Sequence, residues 1–113
     1  MAHTCHAQDC GRVVPPSMLF CRAHWFALRK PMRDAVWREY QPGQEDDKQP
    51  SLRYLAVMER AIAEVAFRPN DEEAAVIAAR HAMIAESLRT RAIENGDGDP
   101  LEGLTEHGPW STP

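Results

Sequence analysis

Cysteine is scarce in this sequence and confined to one end: Cys5, Cys10 and Cys21 are the only three in 113 residues. An odd count excludes a fully paired disulfide framework, and clustered thiols in a reducing compartment more often hold metal than disulfides. Aromatic side chains make up only 7% of the chain against 43% hydrophobic overall, so a core must be small and rich in alanine. No apolar run reaches the roughly 18 residues that mark a transmembrane helix. The opening MAHTCHAQDC lacks the charged-then-apolar pattern of a secretory leader, so a cytoplasmic location is expected. Catalytic signatures are missing as well. There is no Ser-His-Asp candidate, no phosphate-cradling glycine loop and no HExxH.

What is present is unevenly distributed. Three of the five histidines (His3, His6, His24) accompany the three cysteines within the first 24 residues. Residues 1–42 carry six basic side chains against three acids, whereas residues 43–113 carry seven against fourteen. Three thiolates with one divalent zinc add about −1 to the first part, which leaves it weakly basic.

The chain divides into a metal-binding module over 1–42, a loop over 43–50, a helical hairpin over 51–95, and a flexible acidic tail rich in Gly and Pro over 96–113. In the first part Trp25, Leu28, Met32, Val36 and Tyr40 recur at steps of three and four, one face of a helix. Pro31 disfavours helix at Lys30, so two short helices are expected, 22–29 and 31–40. Pro50 leads into a helix over 52–67 capped by Ser51, with Leu52, Leu55, Ala56, Met58, Ile62, Val65 and Ala66 as its stripe. Arg68-Pro69 stops that helix. Asn70 is the expected cap of the next, with Glu73 reciprocating and Asn95-Gly96 closing it. Its expected stripe is Ala74, Ile77, His81, Ile84 and Leu88, with His81 as a packed histidine. An antiparallel hairpin is the simpler arrangement, and homodimerisation through the same stripe competes with it.

The chemistry sits in CHAQDCGRVVPPSMLFCRAHW. Cys5 and Cys10 are spaced C-x4-C, ten residues follow, and Cys21 and His24 close the set as C-x2-H. Zinc takes four such donors at tetrahedral corners. Gly11 suits a tight knuckle after Cys10. Val13, Val14, Met18, Leu19 and Phe20 flank Pro15-Pro16-Ser17 and read as a short hairpin. Cys21 and His24 then fall in the first turn of a helix, three apart and on one face. Knuckle, hairpin and helix make the arrangement called a treble clef. His24 is the expected fourth ligand, although His3 and His6 flank Cys5 and compete for the place. The fold class is therefore mainly α: a small zinc-stabilised domain with a treble-clef-like knuckle and short β-hairpin, then short helices and an α-helical hairpin. Such a site holds one structural Zn2+, because Cys3His leaves no corner open for water. An enzyme is not expected. Glu45-Asp46-Asp47 reads as a solvated loop rather than a magnesium site.

The run from Cys5 through CGRVVPP, MLFCRAHW, the W-x-x-Y of Trp37 to Tyr40, and the P-G-Q and P-S-x-x-Y-L elements resembles small uncharacterised zinc-binding proteins encoded by tailed bacteriophages and prophages. The resemblance covers roughly residues 5–65 and implies that Cys5, Cys10, Cys21 and His24 bind zinc. It brings no activity. Trp37, Tyr40, Pro42, Gly43 and Tyr54 either form a surface patch or pack the loop onto the module. The last helix and the acidic tail are departures from the pattern.

Two functions follow as expectations. One is a protein-interaction module that binds a host or phage protein, in keeping with the acidic second half and short helices suited to groove binding. The other is nucleic-acid binding through Arg22, Arg29, Lys30, Arg33 and Arg38, against which stands the pI near 5.7. No membrane association is expected.

Overall fold

A computed structural model describes residues 3–7, 10–15, 17–41, 50–68 and 70–104. Its helices are α1 (Arg22–Trp25), α2 (Lys30–Glu39), α3 (Leu52–Ala66) and α4 (Glu72–Glu94). The protein is mainly α-helical. Among the described residues the one extended pairing is an isolated antiparallel bridge between Thr4 and Val13. No described helix is long and apolar enough to cross a membrane.

α3 is the central element. Ser51 caps it, its Oγ accepting the Tyr54 N–H at 3.0 Å. The stripe expected for α3 covers only part of what is buried. Ala56, Val57, Ala61 and Ala63 are fully enclosed, because α2 packs on one side of the helix and α4 on another. A helix held between two neighbours hides most of its circumference, and alanine lets both backbones come close. α2 buries Met32, Ala35 and Val36 toward this core, and Leu28 joins them from the turn after α1.

α4 differs from expectation in two places. Its cap is Asp71, whose carboxylate accepts the Ala74 N–H at 3.0 Å, and not Asn70. Asn70 instead takes a left-handed backbone, φ 62°, which asparagine tolerates better than most residues, and this delays the helix by one residue. The buried line is Ala78, Ala85 and Ala92, seven apart, flanked by half-buried Ala74, His81 and Leu88. Ile84 is 41% exposed. It lies one residue from Ala85, hence about 100° around the helix from the packed line. At the other end the expected stop forms: Gly96 (φ 83°) and Asp97 donate back to Ile93 and Ala92 at 3.0 and 2.9 Å. That pair of bonds is a Schellman closure, and glycine supplies its left-handed residue.

Residues 96–104 correct the expectation of a loose tail from 96 onward. Pro100, Leu101 and Leu104 are buried, and four guanidinium groups grip the segment. Arg53 donates to the Asp97 carbonyl at 2.7 Å, Arg38 to that of Pro100 at 3.2 Å and Arg29 to that of Leu104 at 3.0 Å. Arg89 forks onto the Asp99 carboxylate at 2.8 and 2.7 Å. Glycine and proline here shape a strap rather than prevent order. The remainder of the expected tail, like the 43–49 loop with Glu45-Asp46-Asp47 and the Pro42-Gly43 turn, lies outside the described residues.

Candidate metal centre

The two halves of the site reach it by different routes. Cys5 leaves the Thr4–Val13 bridge, its own N–H donating to the Arg12 carbonyl at 2.9 Å while Val14 donates to His3 at 2.8 Å. The chain between them doubles back, with Cys10 N–H bonded to the Ala7 carbonyl at 3.1 Å. Among the described residues no strand pair flanks Pro15-Pro16-Ser17, where a hairpin was expected. The chain does turn there, Met18 N–H meeting the Pro15 carbonyl at 2.9 Å, but prolines offer no donors for a ladder. Residues 18 and 19 pair with the start of the chain instead. His6 N–H donates to the Leu19 carbonyl at 2.9 Å, and His3 Nε2 sits 2.8 Å from that of Met18.

Cys21 then occupies the N-cap of α1 and His24 lies within that helix. α1 stops at Trp25, a turn short of the expected 22–29. Arg29 is already extended (ψ 149°) as the N-cap of α2, and Pro31 occupies the first turn beyond it. One turn is enough to set Cys21 and His24 side by side.

Cys5, Cys10, Cys21 and His24 converge, every donor atom within 4.8 Å of the others. His24 Nδ1 is 3.4 Å from Cys5 Sγ and 3.2 Å from Cys21 Sγ. Ligands at tetrahedral Zn–S and Zn–N lengths stand about 3.5–3.8 Å apart, so the cluster needs only small adjustment around an ion. All three cysteines are free thiols, with Cys5 and Cys21 buried and Cys10 half-buried. Burial pushes the Cys5 thiol up, which a cation nearby would reverse. The Cys21 thiol is held down to about 6 by the backbone amide of His24, assisted by Arg12. The Arg12 Nη1 donates to its sulfur at 3.6 Å. Arg12 played no part in the sequence reading, although a guanidinium two residues beyond a thiolate pair is a signal for such charge support. His3 and His6 stand apart from the four-donor group, ring to ring at 5.2 Å. The donor set therefore fits one metal ion.

Of the five basic residues singled out for nucleic acid, three have a carboxylate partner and two do not, among the described residues. Arg29 donates through its backbone N–H and its Nε to the buried Glu64 at 2.7 and 2.8 Å. Arg38 bonds Glu39 at 2.8 Å and Lys30 bonds Asp34 at 2.9 Å. Arg22 and Arg33 have no carboxylate partner among the described residues, and both guanidiniums lie against the Phe26 ring, 5.7 and 5.0 Å from its centroid. Phe26 itself is 59% exposed. Trp25, Trp37, Tyr40 and Tyr54 form a row of edge-on contacts from 5.8 to 6.3 Å, which runs from buried Tyr54 to half-exposed Trp37. His81 packs as expected, half-buried, with Nδ1 2.6 Å from the Glu59 carboxylate. No family model, curated protein or solved structure matches the chain.

Proposed function

We propose that this chain is a non-enzymatic, zinc-stapled interaction module, of the treble-clef type, that serves as an accessory protein of phage origin. The convergence of three thiols and one imidazole carries the reading. Thiolate-rich tetrahedral sets select zinc among available divalent metals, and four protein donors leave no position for a reactive water. Cys5, Cys10, Cys21 and His24 hold the ion, which ties the chain start to α1. The chain's own part in this is to keep Cys21 as thiolate, through Arg12 and the His24 amide, and to bury the cluster against Leu19 and Phe20.

Recognition then falls to the helices. The outer side of α4 offers Val76 and Met83, 57% and 74% exposed, beside Ile84. Together with the acidic second half, this supports a protein partner of host or phage. The broad basic face of the nucleic-acid reading is reduced, since Arg29 is paired with buried Glu64 while Lys30 and Arg38 each pair with a neighbouring carboxylate at the surface. Hydrogen exchange on zinc-loaded and chelator-stripped protein tests the structural role. Stripping is expected to strip protection from the amides of Cys5, His6 and Val14 while α3 and α4 keep theirs. Unchanged protection at those three amides would contradict it.

A further inference from the structure

Arg22 on α1, Phe26 at its C-cap, and Arg33 and Trp37 on α2 lie in succession at the surface. Phe26 receives both guanidiniums, and Trp37 follows Arg33 by one helical turn, which places the two side chains about 5–6 Å apart at Cβ. Both aromatic rings are more than half exposed, Trp37 by 51%. Exposed rings in an aromatic-poor protein stand out, because Phe26 adds nothing to the core that Leu28 and Met32 build beneath it. Both guanidiniums are held over the Phe26 ring, and a phosphate that draws them off would free its face for a base. Neither has a carboxylate partner among the described residues, and the Arg33 Nε is covered yet unpartnered. Neighbouring cations on the same elements are neutralised, Lys30 by Asp34 and Arg29 by Glu64. Among the described residues the local surface therefore alternates cation and π-face, with the nearby Asp34 already paired to Lys30.

We propose that this row is a binding platform for single-stranded nucleic acid, with bases stacked on Phe26 and Trp37 and backbone phosphates on Arg22 and Arg33. A single strand offers what the row lacks: flat π-faces and negative charges that repeat along one line, recognised without base-edge contacts. A duplex hides its base faces and fits less well. The platform rests on the zinc-stapled reading, since Cys21 and His24 hold α1, from which Arg22 and Phe26 project. It is distinct from the α4 face assigned to a protein partner.

Fluorescence anisotropy with labelled dT12, rU12 and a duplex of the same length, across a salt series on zinc-loaded protein, tests it. Binding of the single strands over the duplex is expected, with Trp fluorescence quenched on saturation. The dT12 and rU12 arms distinguish DNA from RNA as the source of the strand. Phe26→Ala should weaken binding at least about fivefold through lost stacking. The Arg22→Gln/Arg33→Gln pair should lower the slope of log affinity against log salt by about 1.4, two phosphates' worth. Arg22→Lys/Arg33→Lys keeps the charge and guards against misfolding, and should retain the slope while losing affinity. Arg80→Gln on α4 should leave binding within about twofold. Equal binding of a polyglutamate peptide, equal binding of duplex, or no loss in Phe26→Ala would overturn the platform. Zinc content and melting on the same samples separate that outcome from failure of the zinc module itself.

Discussion

The chain around the four-donor cluster and the helical hairpin hold together by unlike means. In the module one bridge, a few turn bonds and a four-residue helix surround four side chains that converge on a point. In the hairpin α3 and α4 close a seam of alanines, both starting from a side-chain cap and α4 ending in a glycine stop. On the zinc-stapled reading the module's stability is concentrated in a few bonds to an ion, whereas the hairpin's is spread over many small contacts. One substitution should therefore disable the module outright, and the hairpin should lose stability only by increments.

Cys21→Ser is the largest break in that comparison. Structural zinc in small modules contributes on the order of 10 kcal/mol to folding, so losing a thiolate should abolish the module's own structure. Thermal melting should show an earlier transition and zinc content should fall, with most of the helical circular dichroism retained by α3 and α4. A single unshifted transition would erase the contrast between the regions.

Glu64→Ala attacks the joint between them. The Glu64 carboxylate receives two donors from Arg29, and removing one partner of a buried pair costs about 3 kcal/mol. Urea denaturation should show that loss, and less than about 1 kcal/mol would mean that the two regions are joined elsewhere. Within the hairpin, Ala85→Leu puts bulk where α3 and α4 meet. It should cost about 2 kcal/mol by overpacking, while zinc content stays at wild-type level. A neutral result would show that the seam has slack.

The strap gives the smallest effect, visible as a pH dependence. Hydrogen bonding from Arg53 holds the Glu39 carboxyl below its ordinary 4.5, and Arg89 holds that of Asp99 below 3.8. Carboxyls lowered in the folded state contribute stability that is present above those ordinary values and lost as pH falls through the lowered ones. Glu39→Gln should cost about 1 kcal/mol at pH 7, and the gap to wild type should close as pH drops below 4.5. A gap independent of pH would assign the loss to packing.

The convergence of the four donors was legible in the sequence because ligation needs particular residue types at spacings that a loop and one helical turn impose. Cys21 and His24 could be placed on one face from the count of three alone. The α3 and α4 helices were legible from periodicity and from Ser51 and Asn95-Gly96. Position within the hairpin was not. Ile84 and Ala85 are neighbours, and hydrophobicity favours the wrong one, since a close helix pair selects small residues over apolar ones. The strap was hidden for a related reason. Asn-Gly-Asp-Gly-Asp-Pro reads as punctuation, and what orders it are arginines 10 to 75 residues away in sequence. Such partners carry no local signal. The same applies to Arg22 and Arg33, which sequence alone could not separate from Arg29, Lys30 and Arg38.

The central claim is that three thiolates and His24 together hold one structural zinc. Zinc-edge X-ray absorption on purified protein, with metal counted per chain, tests it most directly. The account predicts one zinc with three sulfurs near 2.3 Å and one nitrogen near 2.0–2.1 Å, reduced to fewer than three sulfurs in Cys10→Ser. Protein that folds without zinc, or zinc bound mainly by nitrogen and oxygen, would contradict it.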